Sequence, residues 1–348
     1  MLFLVVNMKK LSLSLFILMI ASVLFACGGG GGSSASTPAN GFSQSYTTSA
    51  GIGELMTYSI NTTNKTYAYT ITQSSYGLTG LTGSGTLTAN SDGSFSPSES
   101  PNSRVYALQN GLLVGAVSLN LSGTSVNVPV VGIASPITSL ANLAGTYNYI
   151  SKNCVTASHN CQPTTSYGTI KIDATGNYTE CASTDITASP SCSDSAGTIS
   201  ATTTSGVWSY VRTGGTNTNY LLAFKAPNGQ NVLIIDFNDL GGYGYGQAIA
   251  STQSSVQSGS VDGTYTYLAN TGVSGATSVA GTGFTSVYTF NGSSGTNSGT
   301  VVFNSPWTGM SSVTGGNNTG IAMMAGTGVY AYRDNDATHH YFEIGMRH

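Results

Sequence analysis

Apolar and polar residues alternate along much of this chain. Tyr67-Ala68-Tyr69-Thr70-Ile71 and Thr169-Ile170-Lys171-Ile172-Asp173 set every second residue on one face, the period of a half-buried β-strand. Beyond residue 40, no long segment sustains a helical period with a charged outer face. Denser apolar stretches come as neighbouring pairs: residues 112–117 with 126–133, 220–225 with 231–237, and 321–325 with 329–332 and 341–344. Each group predicts adjoining strands, two in the first and second and three in the last.

Some of these patterns recur. Gly85-Thr86-Leu87-Thr88-Ala89-Asn90, then Ser91-Asp92-Gly93-Ser94-Phe95-Ser96, aligns without a gap with Gly168-Thr169-Ile170-Lys171-Ile172-Asp173, then Ala174-Thr175-Gly176-Asn177-Tyr178-Thr179. Gly299-Thr300-Val301-Val302-Phe303-Asn304 repeats the first half. Asn and Asp favour turns, and Gly93 and Gly176 are placed to supply positive φ. Gly145-Thr146-Tyr147-Asn148-Tyr149-Ile150 matches Gly263-Thr264-Tyr265-Thr266-Tyr267-Leu268, with Thr57-Tyr58-Ser59-Ile60 as a weaker counterpart.

The expected fold is therefore all-β, with two or three antiparallel barrel- or sandwich-like units in tandem at 41–135, 140–252 and 260–348. Residues 134–136 and 251–260 would be linkers. Each unit has room for about six to eight strands, enough for a small barrel or sandwich. The alternative is that two units close together into one larger sheet.

The N-terminus follows another pattern. Lys9 and Lys10 precede an apolar run, LSLSLFILMIASVLFA, over residues 11–26. A basic head, an apolar stretch and a small residue at its end make an export signal, here residues 1–26. The run is shorter than the roughly 20 residues of a spanning helix. Met8 is a more natural start than Met1. Residues 27–40, rich in Gly and Ser, read as a flexible tether that reaches roughly 20 Å.

Leu24-Phe25-Ala26-Cys27 resembles the lipobox of bacterial lipoproteins, with Phe25 the departure from its usual small residue. The resemblance implies cleavage before Cys27, a diacylglyceryl group on its thiol and an acylated new amino terminus. Each buried methylene contributes about 0.8 kcal/mol, so two or three chains give lasting attachment to a bilayer. Gly28 stands where an aspartate often signals retention in the inner membrane, so the resemblance implies the outer membrane. The alternative is an ordinary secreted protein cut elsewhere. The rest of the chain is loosely similar, at fold level, to the small barrels of surface lipoproteins that bind host proteins.

Composition narrows the partners. Charged residues are 7% of the chain and the net charge is -3, against about 25% charged residues in ordinary domains. There is no basic patch, so nucleic acid is an unsuitable partner. Solubility must come from Ser, Thr, Asn and Gly.

Four cysteines follow Cys27: Cys154, Cys161, Cys181 and Cys192, all in the second unit. An even number in an exported chain predicts two disulfides. Local pairing, Cys154 with Cys161 and Cys181 with Cys192, is expected, with crossed pairing the alternative because all four thiols would lie at one end of the unit. The spacings lack the close pairs of a zinc site. The bridged loops either present a recognition surface or are simply held in place.

Chemistry is harder to find. The chain beyond the signal carries no nucleophile elbow, Walker loop or His-Glu-x-x-His motif, and nothing calls for a cofactor. Asp334, Asp336, His339 and His340 have the donor chemistry for a divalent metal. They also suit an ordinary hairpin loop. Five Tyr-x-Tyr pairs, Tyr67/Tyr69, Tyr147/Tyr149, Tyr243/Tyr245, Tyr265/Tyr267 and Tyr330/Tyr332, each share a strand face. Facing outward they would stack on a glycan or protein ligand; facing inward they would fill the core. Tyr243 and Tyr245, in a glycine-rich stretch, are the pair expected outside. The leading functional expectation is a surface-exposed, lipid-anchored binding or adhesion protein. A structural or assembly component of the envelope comes second, and an extracellular enzyme third.

Overall fold

The computed structural model describes residues 41–347 except 92, 100–102, 108–110, 122, 155–163, 240–243, 291, 317, 325–327 and 337–339. The expected export signal, Cys27 and the tether lie outside the described residues.

The fold is all-β, as three eight-stranded barrels in tandem. The first is built from β1 Ser43–Ala50, β2 Glu54–Asn61, β3 Thr66–Gln73, β4 Thr82–Ala89, β5 Phe95–Pro97, β6 Tyr106–Ala107, β7 Leu112–Leu121 and β8 Thr124–Ile133. The second contains β9 Gly145–Cys154, β10 Thr164–Ile172, β11 Asn177–Ala182, β12 Ser195–Ala201, β13 Val207–Arg212, β14 Asn219–Lys225, β15 Asn231–Asp239 and β16 Gly244–Thr252. The third runs through β17 Gly263–Ala269, β18 Ser274–Ala280, β19 Gly283–Phe290, β20 Ser293–Phe303, β21 Met310–Gly315, β22 Asn318–Met323, β23 Val329–Asp334 and β24 Phe342–Arg347. Within each unit every strand but the β5–β6 pair is hydrogen-bonded antiparallel to its sequence neighbours, and the first strand pairs with the last. In the first barrel β5 and β6 are short. The ring closes there through one pair, Phe95 and Val105, which exchange backbone hydrogen bonds of 2.9 and 2.8 Å.

The repeated Gly-Thr-Tyr opens the first strand of both the second and third barrels, and it does the same job in each. Tyr147 Oη donates to the Leu143 carbonyl at 2.7 Å, and Tyr265 Oη donates to the Val261 carbonyl at 2.8 Å. In each case the phenol ties the start of the strand to the fully buried residue four places earlier. The weaker counterpart at Thr57–Ile60 falls in β2, a second strand. The first strand of barrel one is β1, with Tyr46 buried. The hairpin repeat is only partly in step: it starts on the fourth strand of the first and third rings, β4 and β20, but on the second strand of the second ring, β10. What those hairpins share is turn chemistry. Gly93 and Gly176 adopt φ of 80° and 89°. Asp173 Oδ1 accepts the backbone N–H groups of Thr175 and Asn177, both at 2.9 Å.

The denser apolar stretches have a reason that alternation alone does not reveal. Strands β14, β15 and β16 bury both faces. Leu221, Ala223, Leu233, Ile235, Ala248 and Ala250 point into barrel two with Tyr147 and Tyr149. Their neighbours Leu222, Phe224, Val232, Ile234 and Ile249 point outward into a core shared with Leu112, Val114 and Val131 of barrel one and Ile321, Met323 and Ile344 of barrel three. Strands buried on both faces read as continuous apolar runs. The three barrels are thus packed against one another, and the second expected linker is part of that packing: Ser251 and Thr252 belong to β16, and Val256 is buried in the core of barrel three.

The solvent-facing rows are hydroxyl-rich in place of charge. Ser45 and Ser59 bond across β1–β2 at 2.7 Å, and Thr285 and Ser298 across β19–β20 at 3.2 Å.

Between barrels one and two lies a polar seam. Asp236, Gln247 and Lys152 are register partners on the outer face of β15, β16 and β9. Facing them from barrel one, Ser49 Oγ donates to Asp236 Oδ2 at 2.6 Å, and Lys152 Nζ donates to the Gly51 carbonyl at 3.4 Å. Burial pushes Asp236 up to about 8, with nearby Glu54 adding to the shift, and burial pushes Glu54 up to about 7. It pulls Lys152 down to about 8.

Candidate functional site

Inward-facing positions decide what each barrel can hold. Eight strands enclose a space that side chains can fill or that can hold one small ligand. In barrel one Tyr58 stacks between Tyr67 and Tyr69, with centroid separations of 5.8 and 6.4 Å. In barrel two the rings of Tyr178 and Tyr210 stack at 4.0 Å, beside Ile170, Ile172, Ile199 and Trp208. Both interiors are packed with aromatic and branched side chains.

Barrel three differs. Beside Phe284 and Tyr288 on β19, its second to fifth strands carry smaller inward residues: Thr277 and Val279 on β18, Ser286 on β19, Asn297 and Val301 on β20, Val313 and Gly315 on β21. These line a cavity of about 520 Å³, within the range of small-molecule sites. Val273, Gly316, Asn318 and Tyr341 also line it, and Val256 and Val261 pack in the same core.

The polar centre of the cavity is Glu343 on β24. Phe342, Ile344 and Met346 alternate outward into the shared core, which leaves Glu343 facing inward with Tyr341. Gly345 completes the inward row; a Cβ there would lie 2.0 Å from the Tyr330 ring, so only glycine leaves room for that ring. Tyr330 Oη donates to Glu343 Oε1 at 2.6 Å, and Tyr341 Oη donates to Oε2 at 2.5 Å. Tyr267 Oη shares a 3.0 Å bond with Ser286 Oγ, and its ring meets Tyr330 edge-on. Burial pushes Glu343 up to about 7, against the lowering effect of its two phenol donors. The same burial and the nearby carboxyl push Tyr267, Tyr330, Tyr332 and Tyr341 above the ordinary tyrosine range. At neutral pH these phenols stay protonated, and Tyr330 and Tyr341 donate to the carboxyl.

Of the residues singled out in the sequence, Tyr267, Tyr330, Tyr332 and Asp334 line this cavity. Tyr67, Tyr69, Tyr147, Tyr149 and Tyr265 are buried in the barrel interiors. Tyr245 is a correction. It is 6% exposed and packs 6.4 Å from Tyr76 of barrel one. Barrel one covers this strand: a Cβ on its Gly53 would lie 2.0 Å from the Phe237 carbonyl and 3.3 Å from the Gly246 nitrogen. Tyr243 lies outside the described residues.

The proposed metal ligands do not converge. Asp334 Oδ1 accepts the Tyr341 N–H at 3.2 Å, while Asp336 and His340 are tied through their backbones. His339 lies outside the described residues, and among the described residues no three His, Cys, Asp or Glu side chains are grouped to hold a metal. Cys181 and Cys192 are disulfide-bonded. Cys154 is also bridged; its partner lies outside the described residues, as does Cys161.

Glu343 was not singled out from the sequence. Its signal was a lone carboxyl alternating with Phe342 and Ile344 in a chain holding only 13 acidic residues.

No family model and no curated protein matches the chain. A crystal structure of a protein of unknown function from the DUF3598 family of Nostoc punctiforme aligns over 89% of this chain and 96% of its own, at 9% identity and a TM-score of 0.16. At that score the likeness supports no statement about this chain.

Proposed function

We propose that this chain is a lipid-anchored envelope protein that binds a small molecule in its third barrel. The observation that carries the binding role is the cavity itself: one barrel of three, built on the same ring of strands, keeps its interior open and lines it with phenols around a carboxyl. The anchor rests on the lipobox-like Leu24-Phe25-Ala26-Cys27 and the Gly/Ser tether after it. Recognition by outward tyrosine ladders loses support, because the described pairs point inward or into the boundary between barrels. A structural role through pairing of free strand edges has less support, since barrels two and three are closed and offer no edges.

The anchor is tested by mass spectrometry of the N-terminal peptide from the native protein. Two or three fatty acyl groups on Cys27 are expected; an unmodified thiol, or a terminus elsewhere, refutes that half. The binding role is tested by a small-molecule screen on the full chain, repeated on Thr277→Trp, which puts an indole into the cavity. Loss of binding in the variant is expected, and unchanged binding refutes it.

A further inference from the structure

The charge and surface of this cavity also define its ligand. Resting on the reading that barrel three holds a small molecule, we propose that the molecule is an organic ammonium ion with an apolar body. Both ionisable acids of the wall, Glu343 and Asp334, are carboxyls, and no Lys, Arg or His is among the described residues that line it. Around them stand six aromatic rings: Phe284, Tyr267, Tyr288, Tyr330, Tyr332 and Tyr341. A cation is drawn to the faces of such rings, most strongly where water is excluded. An anion would face Glu343, whose printed partners are the two phenols of Tyr330 and Tyr341. A purely apolar ligand would leave Glu343 buried with nothing to balance its charge.

Glu343 is built to meet a cation. Each of its oxygens accepts one phenol hydrogen bond and keeps a lone pair for a second donor. The titratable groups facing it are Tyr267 from β17, Tyr330 and Tyr332 from β23, and Tyr341 from its own segment. None of these is cationic. A bound ammonium therefore supplies the counter-charge that the fold withholds, and draws Glu343 to its ionised form. Binding near pH 7 should release a fraction of a proton, and affinity should climb as pH rises from 5 to 8.

The test uses three probes with one body and three charges: 4-phenylbutylammonium, 4-phenylbutanol and 4-phenylbutyrate. They are titrated calorimetrically into the full-length chain in detergent, in two buffers of different ionisation enthalpy. The ammonium is expected to bind at least about tenfold tighter than the alcohol, with the carboxylate weakest and proton release visible between the buffers. Glu343→Gln, checked for an intact thermal transition, should bring the ammonium-to-alcohol preference toward unity. If the alcohol or the carboxylate binds the wild type as tightly as the ammonium, and Thr277→Trp abolishes that binding, the charge assignment is wrong while the cavity reading stands. If no probe binds, both fall.

Discussion

Ser49 of the first barrel donates a 2.6 Å hydrogen bond to Asp236 of the second, with both side chains sealed from solvent. Asp236 Oδ1 has no hydrogen-bond partner among the described residues, and burial raises the group to about 8, so at neutral pH it is mostly protonated. Ser49→Ala strands a buried oxygen and should cost about 1–3 kcal/mol. Asp236→Asn keeps the shape of the neutral acid and should cost less. Urea unfolding at pH 7 checks the order; a larger loss for the asparagine variant would mean that Asp236 is ionised there.

The raised carboxyls predict a direction for the pH dependence. In the unfolded chain Asp and Glu titrate near 4. Folded, Glu54 and Glu343 lie near 7 and Asp236 near 8, so the folded state holds more protons between pH 4 and 8. Their contribution is complete below pH 4 and is lost as pH rises through 7 to 8. Lys152, lowered to about 8, acts the other way: its contribution grows between pH 8 and 10.5. The urea midpoint should fall from pH 5 to 8, and Asp236→Asn should flatten that fall. A midpoint that rises over this interval contradicts the burial of these groups.

Barrels two and three are joined by another polar contact. Trp307 Nε1 donates to Asn148 Oδ1 at 2.8 Å, and Asn148 Nδ2 donates to the Thr308 carbonyl at 2.9 Å. Tyr167 stacks on Trp307 at 5.6 Å, and Arg333 lies 5.5 Å from the centre of the Tyr167 ring. Asn148→Ala unpairs an N–H and a carbonyl together and should cost about 2–4 kcal/mol. The chain has two tryptophans, and Trp208 is buried within barrel two. A red shift in emission of the native variant would therefore report Trp307, and a Trp208→Phe background makes that assignment secure.

The bridge from Cys181 to Cys192 closes a short loop. Removing it as the double serine variant should cost roughly 2–3 kcal/mol. Peptide mapping of the oxidised protein should return Cys181 with Cys192, and Cys154 with Cys161. Recovery of Cys181 with Cys154 would contradict the geometry.

Much of this architecture was legible in the sequence. The alternation at Tyr67-Ala68-Tyr69 and the apolar closing pairs marked strands, and Gly-Thr-Tyr at 145 and 263 marked the start of two equivalent rings. What alternation does not carry is which face meets which neighbour. Val232-Leu233-Ile234-Ile235 reads as one apolar run because barrel two needs one face and the shared core the other. Tyr245 looked exposed because its glycine-rich surroundings suggested an uncovered strand. Instead the turn at Gly53 of barrel one packs against Phe237 and Gly246, a contact between residues almost two hundred positions apart. Glu343 and Asp236 share one property: each is an acid flanked by apolar residues within a strand, and a partner of each, Tyr330 and Ser49, lies on another strand. The open interior of barrel three depends on the size of inward residues such as Thr277 and Ser286. That comparison needs strand register, which local pattern does not supply.

The most direct test is a ligand-observed NMR screen of drug-sized and smaller fragments against the full-length wild type and Thr277→Trp. Fragments that compete for one site in the wild type and lose their signal in the variant are the expected result. Fragments that bind both proteins alike, or an absence of binders to the wild type, would contradict a third barrel made to hold a small molecule.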